Sequence, residues 1–247
     1  MILETVDLTK SFGAVKAVQN VCLQIEEGEV SSIIGPNGAG KTTLFSLITR
    51  QLKSDSGKVL FKGNDITNMS PSAIATCGIK KCFQITSIFP KMSVFENVQV
   101  AAISKQGKGF NFFSPAGRAM KEEVSSVLDS VGLSGEASKM AGNLSYGEQK
   151  RLEFAIALVT MPTLLLLDEP TAGVSPAEAN NLMELVRSLV RERGLTTVFI
   201  EHDMNMVFNY SDKIRVMYLG GIVKQGTVQE IKGDPEVQKV YLGEGRK

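Results

Sequence analysis

The sequence lacks features on which several classes of protein depend. Its three cysteines, Cys22, Cys77 and Cys82, have no C-x-x-C spacing, so neither a cysteine-based metal site nor a disulfide framework is indicated. Reduced thiols in a cytosolic protein are expected instead. We also find no internal repeat, which argues against a solenoid or another repeat architecture.

A charge excess of one sign and a long apolar run are also missing. Lysine and arginine number 27 against 26 acidic residues, so nucleic acid is not expected as a partner. No apolar run has the length of a membrane span. The first ten residues carry acids and lack the apolar centre of a secretory signal. We therefore expect any contact with a membrane to be made only through other polypeptides.

The remaining composition predicts a globular α/β protein. A length of 247 residues with 43% hydrophobic residues is enough for one large domain or two small ones. Strand patterns are predicted at 3–9, 21–25, 30–34, 58–61 after a turn at Gly57, 164–167, 196–200, 213–217 and 221–224. Helical patterns begin at Val94 and dominate an inserted region of about residues 91–162. A mixed sheet flanked by helices is the expected result.

One segment predicts a phosphate-binding loop. After the strand-like run 29–34, the sequence GPNGAGKTT has glycine, lysine and threonine at every fixed position of the phosphate-loop pattern, and a helical apolar pattern follows it. Backbone N–H groups of such a loop and the start of the next helix together bind anionic oxygens. The candidate residues for binding a triphosphate are Gly35, Pro36, Asn37, Gly38, Ala39, Gly40, Lys41, Thr42 and Thr43. The alternative is a glycine-rich turn before an ordinary helix.

A second segment supplies two carboxylates. The run Leu164–Leu167 reads as a buried parallel strand that ends in Asp168 and Glu169. Ligands bind at the carboxyl ends of such strands, so both acids would lie beside the phosphate loop if the two strands are neighbours. Asp168 and the Thr42 hydroxyl are then candidate Mg²⁺ ligands, and Glu169 is the candidate general base. The alternative is an Asp-Glu pair that merely caps a turn before Pro170.

Capping boxes mark several helix starts. The pattern occurs at 145–148, 175–178 and 227–230. Ser145 therefore stands at a helix N-terminus, where its hydroxyl and the exposed N–H groups can receive an anion. Glu148 is expected to fold back onto the backbone of Ser145, away from any ligand. A simple helix cap is the alternative reading of this segment.

Together these residues resemble the ATP-binding subunits of ABC transporters, over essentially the whole chain and in the expected motif order. The segment LSYGEQ, residues 144–149, is similar to the family signature LSGGQ, from which Tyr146 and Glu148 depart. The resemblance implies that Ser145 and Gly147 act on ATP held by a second ATP-binding subunit, in a head-to-tail dimer with two shared sites. That second subunit is either an identical copy or a paralogue.

The resemblance also implies roles for isolated residues. Gln84 resembles the residue that contacts Mg²⁺ or the attacking water. It lies where the helical subdomain begins, so the resemblance also implies a role as a coupling hinge. His202 resembles the histidine that donates a hydrogen bond to the γ-phosphate. Phe12 resembles the aromatic residue that stacks on adenine, with Val18 as a second wall. Taken alone, Gln84 reads as an exposed side chain, His202 as structural or solvent-facing, and Phe12 as a core residue.

The chain departs from the family pattern at Ser175, where the family commonly has Asp or Asn in its D-loop, so communication between the two ATP sites is in question. Three features are similar to the larger ATP-binding subunit of branched-chain amino acid importers. They are the segment EHDM at 201–204, the helical insert and the segment YLGE at 241–244. ATPase subunits for urea or short-amide import and for lipopolysaccharide export have similar C-terminal segments. These alternatives leave the solute open.

The resemblance implies an α/β P-loop NTPase core with a mixed sheet flanked by helices and an N-terminal antiparallel β region. One cassette would span residues 1–247, with the helical subdomain inserted at about residues 91–162. It would be a Mg²⁺-dependent ATPase at the cytoplasmic face of the membrane, bound to transmembrane permease subunits.

Three other classes are weighed against this one. A soluble ABC ATPase that acts on ribosomes or DNA often has two fused cassettes, coiled coils or basic segments, which this chain lacks. A P-loop kinase would need no signature helix. A module that binds ATP without hydrolysing it is disfavoured by the presence of Glu169 and His202.

Overall fold

The computed structural model describes residues 1–82, 88–106 and 115–237, with the backbone alone at residues 106 and 115–119. The chain folds into two compact units. Unit 1 comprises Met1–Lys81, Thr163–Glu169 and Val186–Lys247, and unit 2 comprises Cys82–Pro162 and Pro170–Leu185. Within the described part of the chain, we find no helix with the length and apolar character that a membrane span requires.

The described residues form strands that we number along the chain. They are β1 (Leu3–Phe12), β2 (Val15–Ile25), β3 (Val30–Ile34), β4 (Ser56–Phe61), β5 (Asn64–Asp65), β6 (Ile79–Cys82), β7 (Leu164–Asp168), β8 (Thr196–Ile200), β9 (Lys213–Tyr218) and β10 (Gly221–Thr227). The helices are α1 (Lys41–Ile48), α2 (Pro71–Cys77), α3 (Val94–Gln106), α4 (Pro115–Ser130), α5 (Tyr146–Leu158), α6 (Pro176–Arg193), α7 (Met204–Tyr210) and α8 (Val228–Lys232).

The first sheet is antiparallel, with the strand order β2-β1-β4-β5. It confirms the predicted N-terminal antiparallel region, although β1 and β2 run further than predicted because they continue to a tight turn between Phe12 and Val15. Gly57 lies inside β4 and not in a turn before it. Its φ of 87° and the register shift opposite it in β1 mark a local irregularity that glycine tolerates.

The second sheet has the order β10-β9-β3-β8-β7-β6. Strands β9, β3, β8 and β7 are parallel to one another, and β10 returns antiparallel to β9, so the sheet is mixed as predicted. Every residue of β3, β7 and β8 is buried, as expected for parallel strands covered on both faces. The α/β core predicted from the sequence is therefore confirmed.

Helix α1 is fixed in the core of unit 1. Leu44, Phe45 and Ile48 of this helix are fully buried in the same hydrophobic cluster as Ile33 of β3 and Leu166 of β7. The helix ends at Ile48. Because the helix is packed from its first turns onward, the loop that precedes it is held against the sheet.

Candidate functional site

The sheet gathers the predicted chemical residues of unit 1 at one edge. Gly35 follows β3, His202 follows β8 by two residues, and Asp168 is the last residue of β7. These strands are parallel, so their carboxyl ends share an edge. The strands of the phosphate loop and of Asp168 are not neighbours, however. Strand β8 lies between them and brings His202 into the same site.

The phosphate loop leads into a helix without a side-chain cap. Gly40 is the N-cap of α1, with a φ of 102°, and it has no side chain that could satisfy the first N–H groups of the helix. Such a helix start is a ready site for a phosphate group. Asn37 and Gly38 at the loop tip are exposed, so the loop is accessible to a ligand.

Lys41 lies folded against this loop. Its Nζ donates to the carbonyl oxygens of Gly35 at 2.6 Å and Pro36 at 3.0 Å. Burial lowers the pKa of the Lys41 ammonium below its usual value, while the carboxylates of Glu169 and Asp168 act in the opposite direction. The side chain is thus a buried cation that lies against the loop and is influenced electrostatically by two acids.

We expect Gly40→Ala to destabilise the protein more than Gly38→Ala. Both glycines have φ in the left-handed region, where a side chain costs about 1–2 kcal/mol. A Cβ at Gly38 would meet open space, whereas at Gly40 it would overlap the backbone carbonyl oxygen of Ala17. Thermal unfolding of both variants beside the unmodified protein measures the difference. Equal shifts would mean that the approach of Ala17 does not restrict this position.

Asp168 is bound from two sides. Its Oδ1 accepts from the Thr42 hydroxyl at 3.2 Å, and its Oδ2 lies 3.1 Å from Nζ of Lys81 on β6. The Lys81 contact is an ion pair without hydrogen-bond geometry, so Oδ2 accepts no hydrogen bond among the described residues. Thr42 and Asp168, the predicted metal ligands, therefore lie together, and the other carboxylate oxygen of Asp168 lies beside Lys81.

Glu169 and His202 form the exposed part of the site. The His202 Nε2 and the Glu169 Oε1 are 3.1 Å apart, and their side chains are 42% and 43% exposed. Glu169 has a φ of 54°, which is uncommon for a residue with a side chain. Its N–H donates to the carbonyl of Ile200 on β8, so the turn that follows β7 is attached to the neighbouring strand.

The predicted adenine wall needs one correction. Phe12 is 48% exposed, with the Lys10 ammonium 5.6 Å from its ring centroid, so its ring is available to a ligand. Val18 is 0% exposed and belongs to the hydrophobic core, so it has no surface to offer as a second wall. Val15 is the direct cross-strand partner of Phe12 and is 66% exposed. Val15 therefore replaces Val18 as the candidate for the second wall beside adenine.

In unit 2, helix α5 begins with the predicted capping box. The Ser145 hydroxyl accepts from the N–H of Glu148 at 3.3 Å, and the Glu148 carboxylate accepts from the N–H of Ser145 at 2.7 Å. This hydrogen bonding lowers the pKa of Glu148. The prediction that Glu148 folds back onto the cap is confirmed. Ser145 itself is exposed and so accessible to a partner.

The start of α6 lies beside the start of α5. Ser175 caps α6, since its hydroxyl accepts from the N–H of Glu178 at 3.3 Å and its own N–H donates to the Glu178 carboxylate at 3.0 Å. A Cβ on Gly147 would collide with that same carboxylate. A side chain at this position of the signature segment would therefore require the Glu178 carboxylate to shift. Serine thus preserves the cap that the sequence predicted.

Two predictions fall outside the described residues. Gln84 belongs to the segment 83–87, and the segment 241–244 belongs to the C-terminal residues 238–247. The metal and catalytic role of Gln84 therefore stays a prediction.

Comparison with known proteins decides the family. A sequence model described as "ABC transporter" matches residues 18–172 of this chain. The chain belongs to the ABC transporter family. It is 39% identical, over 98% of both chains, to the high-affinity branched-chain amino acid transport ATP-binding protein BraF of Pseudomonas aeruginosa. Nucleotide binding and ATP hydrolysis coupled to transport are the properties of such cassettes.

Solved structures support the same family and fold. An ABC transporter cassette in its ADP conformation is 35% identical, covers 98% of each chain and superposes with a TM-score of 0.87. A dimeric cassette in a post-hydrolysis state, bound to ADP and inorganic phosphate, is 26% identical, with a TM-score of 0.80, and the match covers 92% of this chain and 99% of that one. The predicted P-loop fold of an ABC ATPase is therefore confirmed.

Two side chains near the site of this ABC cassette are not predicted by the sequence. Lys81 was not found because the four-residue strand β6 was not predicted, and without its partner β7 a lysine there looks like any surface residue. Val15 was not found because it lies next to the turn, where β1 and β2 shift register and side-chain alternation cannot be counted reliably. In both cases the residue that gives the side chain its role lies on another strand, Asp168 on β7 for Lys81 and Phe12 on β1 for Val15.

Proposed function

We propose that the chain is the ATP-binding and ATP-hydrolysing subunit of an importer for branched-chain amino acids. The observation that carries this proposal is the 39% identity to BraF over nearly the full length of both chains. The site geometry supports the ATPase part independently, because a phosphate loop, two acids and a histidine meet at one sheet edge.

The proposed nucleotide site extends from the loop to the β1–β2 turn. The loop backbone from Gly35 to Thr43 binds the phosphates, and the Lys41 ammonium turns from the loop carbonyls to the β- and γ-phosphate oxygens. The Phe12 ring stacks on adenine, with Val15 as its exposed neighbour. Lys41 is well suited to this role because it is already desolvated beside the loop.

Thr42 and Asp168 fit Mg²⁺. The ion favours oxygen ligands and keeps several waters, and the Asp168 carboxylate directs its Oδ1 to the Thr42 hydroxyl at 3.2 Å, so two oxygen donors lie together. When Mg²⁺ is bound, Asp168 Oδ1 would accept from one of its waters. When bound, Mg²⁺ would offset charge on the phosphate oxygens during transfer. We retain Gln84 as a further proposed ligand on the sequence evidence alone.

Glu169 and His202 are proposed as the catalytic pair. The Glu169 carboxylate takes a proton from the attacking water, and His202 donates to an oxygen of the γ-phosphate. Their mutual contact at 3.1 Å holds both groups at the sheet edge, beside the loop that binds the phosphates. Lys41 stabilises the charge that develops on those phosphates.

We further propose that two ATP-binding subunits share their sites. The phosphate loop and both acids belong to unit 1, while Ser145 and Gly147 belong to unit 2 at an exposed helix start. In a head-to-tail dimer, Ser145 and Gly147 would complete the site of the other subunit. The dimeric relative bound to ADP and phosphate supports such an assembly.

The remaining partners are proposed from the family. Transmembrane permease subunits bind the cassette at the cytoplasmic face of the membrane and provide its membrane contact. Residues 1–247 act as one cassette, and the helical subdomain at about residues 91–162 is its inserted part.

Uptake into vesicles tests the solute. The chain would be reconstituted with candidate permease subunits and a candidate solute-binding protein, with ATP inside and radiolabelled leucine, valine, urea or a short amide outside. We expect ATP-dependent uptake of leucine and valine only. Uptake of urea or the amide instead would reject the amino acid assignment while preserving the ATPase. Absence of any ATP hydrolysis by the complex would reject the proposed function itself.

A further inference from the structure

Lys81 is a buried cation that the proposed mechanism does not use. It lies on β6, next to β7 in the sheet, and its side chain is 9% exposed. Its Nζ is 3.1 Å from the carboxylate of Asp168, which is 1% exposed. A carboxylate this deeply buried is costly to keep ionised unless a positive charge is close to it. Lys81 provides that charge from within the fold.

The ion pair also fixes how Asp168 is oriented. With Oδ2 beside Lys81, Oδ1 is directed to the Thr42 hydroxyl at 3.2 Å. The carboxylate therefore presents one oxygen to the phosphate loop and keeps the other beside a cation. Thr42 alone would fix the position of the carboxylate less firmly, since its hydroxyl donates a single neutral hydrogen bond.

The charges of the site balance without a metal ion. Among the described side chains that we assign to it, Lys41 and Lys81 are cations and Asp168 and Glu169 are anions. A divalent cation that approaches these side chains meets no net negative charge, and it is repelled by Lys81 at short range. The phosphates of a nucleotide are the group that would supply the missing negative charge.

We infer that Lys81 is a positioning residue that serves as the resident counter-ion of Asp168 and makes Mg²⁺ binding depend on bound nucleotide. The inference rests on the proposed role of Asp168 in holding Mg²⁺. Lys81 offsets the charge of the carboxylate and keeps it directed to Thr42 before the metal arrives. The metal then enters together with the nucleotide and does not bind in advance of it.

The direct test measures Mn²⁺ binding, as a probe for Mg²⁺, by electron paramagnetic resonance without nucleotide. The proteins are the unmodified chain, Lys81→Met, Lys81→Arg and Lys80→Met, at about pH 8, where carboxyl groups are ionised. Lys80→Met is the matched control, because successive residues of a strand point to opposite faces. We expect Lys81→Met to bind Mn²⁺ about tenfold or more tightly than the unmodified chain, which removal of one short-range repulsion allows. Lys81→Arg and Lys80→Met should leave the affinity unchanged.

Unchanged Mn²⁺ affinity in Lys81→Met would overturn the inference, and so would an equal gain in Lys80→Met. Thermal unfolding supplies a second readout, since Mn²⁺ should raise the midpoint of Lys81→Met but not that of the unmodified chain. Nucleotide-dependent binding of Mn²⁺ by the unmodified chain is measured alongside. Its absence would reject the proposed metal site itself, and this outcome is distinct from failure of the Lys81 role.

A double substitution keeps the inference testable if Lys81→Met folds poorly. Removal of one partner leaves a buried uncompensated charge, whereas removal of both does not. Lys81→Met combined with Asp168→Asn should therefore unfold at a higher temperature than Lys81→Met alone, and it should bind no Mn²⁺ without nucleotide. A double variant that is no more stable than Lys81→Met would show that the two side chains do not depend on each other.

Discussion

Replacement of Glu169 by glutamine should lower ATP turnover by about 10²- to 10⁴-fold, the usual contribution of a general base, and leave ATP binding nearly unchanged. The substitution retains the shape of the side chain and removes its capacity to take a proton from water. It also leaves the hydrogen bond to His202 possible, since the glutamine oxygen still accepts. Steady-state phosphate release and equilibrium binding of ATP measure the two effects separately.

A second result should accompany the loss of turnover. Because ATP would bind but persist, Glu169→Gln should accumulate as a nucleotide-dependent dimer, measurable by light scattering with and without ATP. Glu27→Gln is the matched control. Glu27 is exposed in the turn before β3, at the opposite end of that strand from the phosphate loop, and its substitution should affect neither measurement. If Glu169→Gln hydrolysed ATP at the normal rate, the base would have to be another group.

The parts of the site that sequence predicts well are those made by residues close along the chain. The phosphate loop is recognised from a run of eight positions, because its chemistry depends on local backbone conformation and the helix that follows. The same is true of the cap at Ser145, where Glu148 is three residues away and folds back as predicted. The conformation of such segments is determined by residues within the segment, so it can be predicted from the sequence.

The parts that sequence does not predict depend on distant pairing. The position of β8 between β3 and β7 joins residues 30–34, 164–168 and 196–200, and nothing local in any of these segments specifies that order. Burial of Val18 likewise follows from the register of β1 on β2, which shifts at several points. Lys81 is the clearest case, since its importance lies entirely in a carboxylate 87 positions later in the chain, at Asp168.

A mixed-dimer experiment tests whether sites are shared between subunits. Lys41→Met removes the phosphate-binding ammonium of one subunit's own loop. Ser145→Asp places a negative charge where the other subunit's γ-phosphate is proposed to lie, while Asp still caps α5 well. Each variant alone should be nearly inactive. Ser145→Asn is the matched control for Ser145→Asp, since it has similar size and also caps the helix but carries no charge, and it should retain more activity.

Mixing the two inactive variants should restore ATP hydrolysis. In the heterodimer, the intact loop of the Ser145→Asp subunit faces the intact signature segment of the Lys41→Met subunit, so one of the two sites is complete. Random assortment in equal amounts would place one complete site in half of the dimers, or about a quarter of the unmodified activity for a symmetric dimer. A chain with both substitutions, mixed with unmodified chain, forms heterodimers without a complete site. Recovery in that second mixture beyond what its unmodified dimers supply, with none in the first, would show that each subunit closes its site alone.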